Sequence, residues 1–529
     1  GEREERPALL AIVKGEASTG DEPYDTELVR SVEAELYRDV DREWEGPKPW
    51  ITRAKVVDAE GNTLWSDRIN SFFQLLEYLK RILDETGSVD YSVDEVYALA
   101  EAQYPQLLEF GVQIPLGLEG AEEYVLEVPD ADGDFYEAGR YDIDELVDQA
   151  EPPQFDGEVS TLVQKGPPAE RVDVAILGDG YTDEEKEEFM GDARAVADRF
   201  NNTEPFAQHA EWMNFHAVWT PSQESGAGYD CQSPEDMDCK RDFRDTVFRY
   251  TFAVSALADI FDLDLPAASA RVAMPIEIAK LYEIAALASY DEIIMLSNTD
   301  RRSGFAGMYV GVLTAFDDRD RFPDVAVHEF GHSFGVLGDE YFIDSDPCLF
   351  AAPRVPLPAN IGQHPSHDEL KWSEWVPQMT PLPTPASQQR QWEVGAYEKA
   401  YNCEFLYRPT YLCKMKSSRE EFCPVCSQQL VRRLYNDVDL VPNSYPTIER
   451  TEAGGVTFRT GVRSEGSKTT VEWHMLGETF AQGPTLELEG FEVPAEWTKL
   501  EATVRESSSF VRAEDPRLTE RLTWWVRRE

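Results

Sequence analysis

The sequence predicts an α+β (α/β-like) domain at the centre of the chain, with a β-rich domain before it and a β-sandwich after it. Three observations lead there. Residues 172–177 are an apolar run, interrupted only by Asp173, that meets the turn Gly178-Asp179-Gly180 and then a helix start. Residues 447–529 alternate apolar and polar side chains between recurrent turns. Two polar, Pro-rich stretches, 151–170 and about 438–446, resist regular structure and divide the chain into parts of 1–150, 170–437 and 447–529.

Within 1–150 the signals are mostly those of strands. Residues 9–14 form a short apolar run, 54–65 read as two strands around Glu60-Gly61-Asn62, and 113–128 as another pair around Glu119-Gly120. Between them Phe72, Leu75, Leu76, Leu79, Ile82 and Leu83 fall at helical spacing, which predicts a helical insertion. The central part opens with the 172–177 strand. Thr182-Asp183-Glu184-Glu185 then supplies a capping box with acids at the positive end of a helix that runs to about Phe200. Further strands are expected at 293–297 and 309–313, and a long loop over 347–385. In the last part Val456, Phe458, Val471 and Trp473 mark inward-facing positions, and turns recur at Gly454-Gly455, 464–467 and Gly477. That spacing predicts a small β-sandwich, an immunoglobulin-like module.

Composition removes several functional classes. The hydrophobic fraction of 42%, with 11% aromatics, can build packed cores, so an acidic disordered tail is excluded. A formal net charge of −52 repels phosphate, so neither nucleic acid nor an anionic membrane surface is an expected partner. No run of about 18 apolar residues occurs, so no membrane insertion is expected. Cysteine usage is odd in number, at seven. Cys231 and Cys239 have the spacing of a local disulfide. Cys423 and Cys426 form a CxxC that reads as a redox or zinc pair, or as a disulfide partner for Cys413 or Cys403.

The chemistry lies in residues 325–341. His328-Glu329-Phe330-Gly331-His332 is an H-E-x-x-H motif, and it holds two of only seven histidines. On a helix His328 and His332 share one face, where two imidazoles can grip one Zn²⁺. Glu329 stands beside them, positioned to take a proton from the attacking water. Gly335 falls where the chain must leave the helix and turn back. The nearest oxygen donors after that turn are Asp339 and Glu340; Asp339 is the expected third ligand and Glu340 the alternative.

The run resembles the metzincin pattern, in which the third ligand would fall on Gly338, a residue with no side chain. The departure implies a turn with one or two extra residues. Metzincins also carry a Met in a tight turn beneath the metal, and Met415 in Cys413-Lys414-Met415 matches that place. Some metzincins have a Tyr two residues after that Met; here it is Ser417, so transition-state help from that position is missing or comes from Tyr341, Tyr407 or Tyr411. More widely, residues 170–437 resemble the IgA-protease-like zinc metallopeptidases. The resemblance rests on 173–181 (DVAILGDGY), Glu204-Pro205-Phe206, Asn214-Phe215-His216, 222–226 (SQESG) and HEFGHSFGVLGDEY. Further along the chain it includes Val394-Gly395-Ala396-Tyr397-Glu398, Tyr407-Arg408-Pro409, Cys413-Lys414-Met415 and Phe422-Cys423-Pro424-Val425-Cys426. It implies a metzincin-type zincin domain with flanking β modules, and a secreted, periplasmic or cell-surface bacterial protein.

The expected activity is that of a zinc metalloendopeptidase with one catalytic Zn²⁺, acting on a protein or peptide substrate. Residues 304–309, from Gly304 to Tyr309, precede a strand just upstream of the motif and form a candidate cleft rim for an extended peptide. The alternative from another class is a surface binding protein that keeps the metallopeptidase fold without useful turnover.

Overall fold

The computed structural model describes residues 11–12, 27–28, 52–59, 61, 63–69, 122–129, 135–142, 157–168, 171–229, 243–252, 273–275, 277–299, 303–306, 312–316, 321–342, 358–387, 391–400, 403–438, 440–441, 447–450, 456–462, 469–489, 492, 494, 496, 498–512, 515 and 518–526. Several expectations lie outside these residues: the helical insertion, the 119–120 turn, Cys231, Cys239, Tyr309 and the turns at 454–455 and 464–467. The fold is mixed α/β with several sheets and few helices. Two compact units separate along the sequence, Arg3–Cys426 and Ser427–Glu529. No helix among the described residues is long and apolar enough to cross a membrane.

Near the start of the first unit, four strands form an antiparallel sheet: β1 (Thr52–Val57), β2 (Thr63–Ile69), β3 (Glu123–Pro129) and β4 (Phe135–Asp142), in the order β2-β1-β3-β4. Gly61 has φ of +82°, a backbone shape that suits glycine at the β1–β2 turn. Val56, Val57, Tyr124 and Val125 are buried in it among the residues whose burial is described.

The sheet that positions the site has six strands. They are β5 (Glu158–Val163), β6 (Val172–Asp179), β7 (Met213–Trp219), β8 (Glu292–Ser297), β9 (Ser303–Ala306) and β10 (Val312–Phe316), in the order β9-β10-β8-β6-β7-β5. The four inner strands are parallel, and the two outer strands, β9 and β5, run antiparallel to their neighbours. Every residue of β6 is buried, as a central parallel strand covered on both faces should be, and apart from Asp173 and Asp179 its residues are apolar or glycine. Part of the stretch predicted to be a linker is strand: β5 pairs with β7 from Glu158 with Trp219 onward. The Pro and Gly residues that suggested a linker flank Val159, Thr161 and Val163, whose β-branched side chains favour the extended form.

Two helices lie against this sheet near the site. The first, α1 (Lys186–Asn201), follows a 3₁₀ turn in which Glu185 Oε2 accepts bonds from the Thr182 N–H (2.8 Å) and hydroxyl (3.0 Å). It buries Phe189, Met190, Ala193, Val196, Ala197 and Phe200. A short helix, α2 (Ile278–Ala285), precedes β8. The second site helix, α3 (Phe322–Ser333), packs on β10, β9 and α1. Asp179, at the end of β6, is fully buried and accepts bonds from Phe248 N (2.8 Å), Tyr250 N (3.1 Å) and the Thr246 hydroxyl (2.8 Å). Burial pushes its pKa up to about 6, and those three donors oppose the rise. Its role is to tie down the 246–250 segment.

A hairpin, β11 (Tyr397–Ala400) and β12 (Cys403–Arg408), leads toward the helix α4 (Pro424–Asp437), which crosses the boundary between the units in sequence. Cys403 is disulfide-bonded, whereas Cys413, Cys423 and Cys426 carry free thiols. The pairing of Cys423 or Cys426 with Cys413 or Cys403, one of the sequence readings, is therefore not formed.

Among its described residues the second unit holds seven strands: β13 (Thr447–Arg450), β14 (Val456–Arg459), β15 (Thr469–Met475), β16 (Glu478–Gln482), β17 (Thr485–Leu488), β18 (Thr498–Glu506) and β19 (Thr519–Val526). They form two antiparallel sheets, β13-β14-β17 and β16-β15-β18-β19. Phe458 of one sheet meets Trp473 (6.1 Å between ring centroids) and Trp524 (5.4 Å) of the other.

Candidate metal centre

Local sequence explains why α3 forms and where it points. Pro323 lies in its first turn, where its missing N–H costs nothing, and Asp324 faces the positive helix end. Phe330 sits two residues from each histidine, so a rotation of about 200° puts it on the opposite face. There it meets Phe200 edge-on at 4.9 Å and Phe206 at 5.5 Å. That aromatic cluster fixes the back of the helix and leaves the His328/His332 face for chemistry.

The turn after α3 delivers the next donors. Val336 N donates to His332 O (3.1 Å) and Leu337 N to Gly331 O (3.0 Å). The left-handed residue is Val336, with φ of +51°, rather than Gly335. Such a conformation is costly for a β-branched residue, so the surrounding bonds must hold it. Leu337 O then lies 2.6 Å from His332 Nδ1, and Lys414 O lies 2.7 Å from His328 Nδ1. A carbonyl can only accept, so both rings carry a proton on Nδ1, and each ring when neutral presents Nε2 as a lone pair.

Both lone pairs face Asp339. Asp339 Oδ1 is 3.1 Å from His332 Nε2 and 3.4 Å from His328 Nε2. Yet that oxygen is buried with no well-directed hydrogen bond. One carboxylate oxygen thus faces two imidazole nitrogens, the donor types of a zinc ligand set. One carboxylate oxygen of Glu329 joins the two imidazoles within 4.8 Å.

Electrostatics fit the same picture. Burial alone would lower the His332 pKa; the Asp339 and Glu329 carboxylates and Leu337 O reverse this and raise it to about 9. Burial alone would raise Asp339; the facing imidazoles hold it well below the usual carboxylate range. A metal needs His332 neutral, and the metal-free ring keeps its proton up to about pH 9. Metal affinity is therefore expected to rise as pH increases toward 9, with proton release on loading. Calorimetric titration in buffers of different ionisation enthalpy reads that release directly.

Glu340, the alternative ligand, points elsewhere. It is fully buried, its N–H donates to Met415 O (2.8 Å), and its Oε1 accepts from Asn360 Nδ2 (3.0 Å) and lies 3.3 Å from Cys426 Sγ. Burial pushes its pKa up to about 8, with Asn360 among the groups opposing the rise. Asn360 also exchanges two bonds with Gly338, both 2.8 Å, and so locks the 338–340 segment.

Met415 lies beneath α3. It is fully buried, and a Cβ on Gly331 would stand 2.6 Å from its Sδ, so only glycine lets the two approach this closely. Gly331→Ala is expected to cost about 1–3 kcal/mol of stability through overpacking, read as a lower denaturation midpoint. Lys414, buried in the same turn, reaches Asp324 (3.3 Å) and Ser418 O (2.5 Å). Of the two tyrosines, Tyr407 is tied to Gly362 by backbone bonds of 2.9 and 2.8 Å, and Tyr341 continues the chain from Glu340. Gly304 lies on β9, the outer strand of the sheet on which α3 packs.

The residues that sequence reasoning missed are Lys414 and Leu337, which act through carbonyls, and Asn360. Every residue carries a carbonyl, so no side-chain pattern flags the first two.

Residues 160–393 match the family model described as IgA Peptidase M64. The match takes in α3, Asp339 and Glu340 and stops short of the 413–417 turn and Cys423-x-x-Cys426. A comparison with curated proteins gives no match.

Proposed function

We propose that this chain, which belongs over residues 160–393 to an IgA-peptidase-like metallopeptidase family, is a zinc-dependent endopeptidase acting on protein substrates. The observation that carries the reading is Asp339 Oδ1 lying 3.4 Å from His328 Nε2 and 3.1 Å from His332 Nε2, with Glu329 beside the two imidazoles. Imidazole nitrogens with one carboxylate oxygen suit Zn²⁺, and three protein ligands leave a position open for catalysis. A cation held there supplies Lewis acidity to the scissile carbonyl and to the attacking water.

The chain's own residues do the rest. Glu329 takes the water proton and returns it to the leaving amine. Two backbone carbonyls keep the imidazoles oriented: Lys414 O on His328 and Leu337 O on His332. Met415 is the apolar floor beneath α3, as in a metzincin-type zincin, and the antiparallel strand β9 suits an extended substrate along Gly304. The paired sheets of 447–529 serve as an accessory immunoglobulin-like module. Export to an oxidising compartment, as a secreted, periplasmic or cell-surface protein, suits the disulfide at Cys403.

Incubating the zinc-loaded chain with a peptide library tests the proposal. Cleavage that stops with a chelator and returns with zinc is expected. Zinc retained with no cleavage of any peptide would favour the binding protein instead.

A further inference from the structure

The three free thiols and Glu340 are not used by that chemistry. Cys413 comes from the turn under α3, Cys423 and Cys426 from the start of α4, and Glu340 from the segment after α3. All four are buried, and one ligand atom from each lies within 4.8 Å of the others. We propose that Cys413, Cys423, Cys426 and Glu340 form a second, structural site for Zn²⁺.

The geometry fits a tetrahedral thiolate centre. Cys413 Sγ and Cys426 Sγ are 3.7 Å apart. Zn–S bonds of about 2.3 Å at the tetrahedral angle put two sulfurs about 3.8 Å apart. Cys426 Sγ lies 3.3 Å from Glu340 Oε1. The Cys423 N–H donates to Cys413 Sγ at 3.3 Å, the kind of bond that steadies a thiolate ligand. Glu340 Oε2 is buried with no partner, which is expensive unless a cation takes it. A disulfide answers less of this. It would consume two of the three sulfurs and leave the third, with the Glu340 carboxylate, buried and unserved.

On loading, each thiol gives its proton to solvent, and the cation binds three thiolates and one carboxylate. The net charge left in the cluster faces Arg408, which interacts electrostatically with both Glu340 and Cys413. With four protein ligands the site is closed and holds structure instead of performing catalysis. It would clamp together the segment that carries Asp339, the turn that carries Lys414 O and Met415, and the first turn of α4. Adjacent residues in an extended segment point to opposite sides. Asp339 and Glu340 thus serve two centres, and the second holds the first one's third ligand in place.

Zinc analysis of the full chain, purified without chelator, tests this. Two zinc ions per chain are expected in the native protein. The His328→Ala/His332→Ala variant should keep one, and Cys423→Ser/Cys426→Ser should lose the one that the histidine variant keeps. Should the cysteine variant fail to fold, cobalt replaces zinc in the histidine variant, and thiolate-to-cobalt charge-transfer bands are expected there. Absence of those bands, a native zinc content of one that vanishes in the histidine variant, or a disulfide between any two of the three cysteines by mass spectrometry without reduction would overturn the proposal. None of these outcomes bears on whether the His328/His332 centre cleaves peptides.

Discussion

Glu329→Gln is expected to lower peptide cleavage by about 10²–10⁴-fold while leaving the metal content unchanged. Glutamine keeps the size and the hydrogen-bonding reach of the side chain but cannot accept the proton of the attacking water. The ligand atoms, His328 Nε2, His332 Nε2 and Asp339 Oδ1, are untouched by the change. Their Nδ1 partners, Lys414 O and Leu337 O, are also unaffected. The loss should therefore appear in kcat, with KM changing little. Steady-state kinetics on one cleaved peptide, alongside zinc analysis of the same sample, checks both halves. Unchanged cleavage would remove Glu329 from the mechanism.

Asp339→Ala should have the second large effect. It deletes the carboxylate that faces both imidazoles at 3.1 and 3.4 Å. Losing a direct ligand should weaken zinc binding at this centre by more than the 10–100-fold that changes to supporting partners typically cost. His332 also loses the group that does most to hold its pKa near 9, so its proton competes less with the metal in the variant. Loss of a ligand outweighs that gain. Competition against a chromophoric chelator measures the result. Glu340→Gln is the contrast: its side chain faces Cys426 and Asn360, so zinc at the His328/His332 centre should survive it.

Much of the site was legible in the sequence because it depends on helical spacing. A spacing of four positions puts His328 and His332 on one face of α3, with Glu329 beside them. The choice between Asp339 and Glu340 was not legible in the same way. Neighbouring residues in an extended segment face opposite sides, and which side meets the imidazoles is set by Asn360 and by Met415 O, remote in sequence. The turn itself departs from expectation for a local reason. Gly335 has the permissive backbone, yet Val336 takes the left-handed shape, held by His332 O and Gly331 O around it. Cysteine spacing had the same limit. Cys423-x-x-Cys426 was visible as a pair, but that Cys413 and Glu340 join it depends on the turn at 413–417 folding beneath α3.

In the fold, β6 was legible because a strand buried on both faces is mostly apolar, and only Asp173 and Asp179 interrupt it. The β5 strand was hidden by the Pro and Gly residues around it, and its place in the sheet comes from pairing with β7. In 447–529 the alternation around Phe458 and Trp473 did reflect strands that face another sheet.

The most direct test of the account is an anomalous difference map at the zinc edge from crystals of the zinc-loaded native chain. The account predicts a peak about 2.0–2.2 Å from His328 Nε2, His332 Nε2 and Asp339 Oδ1. A crystal with no peak at that point, or with a peak bound by Glu340 in place of Asp339, would contradict it.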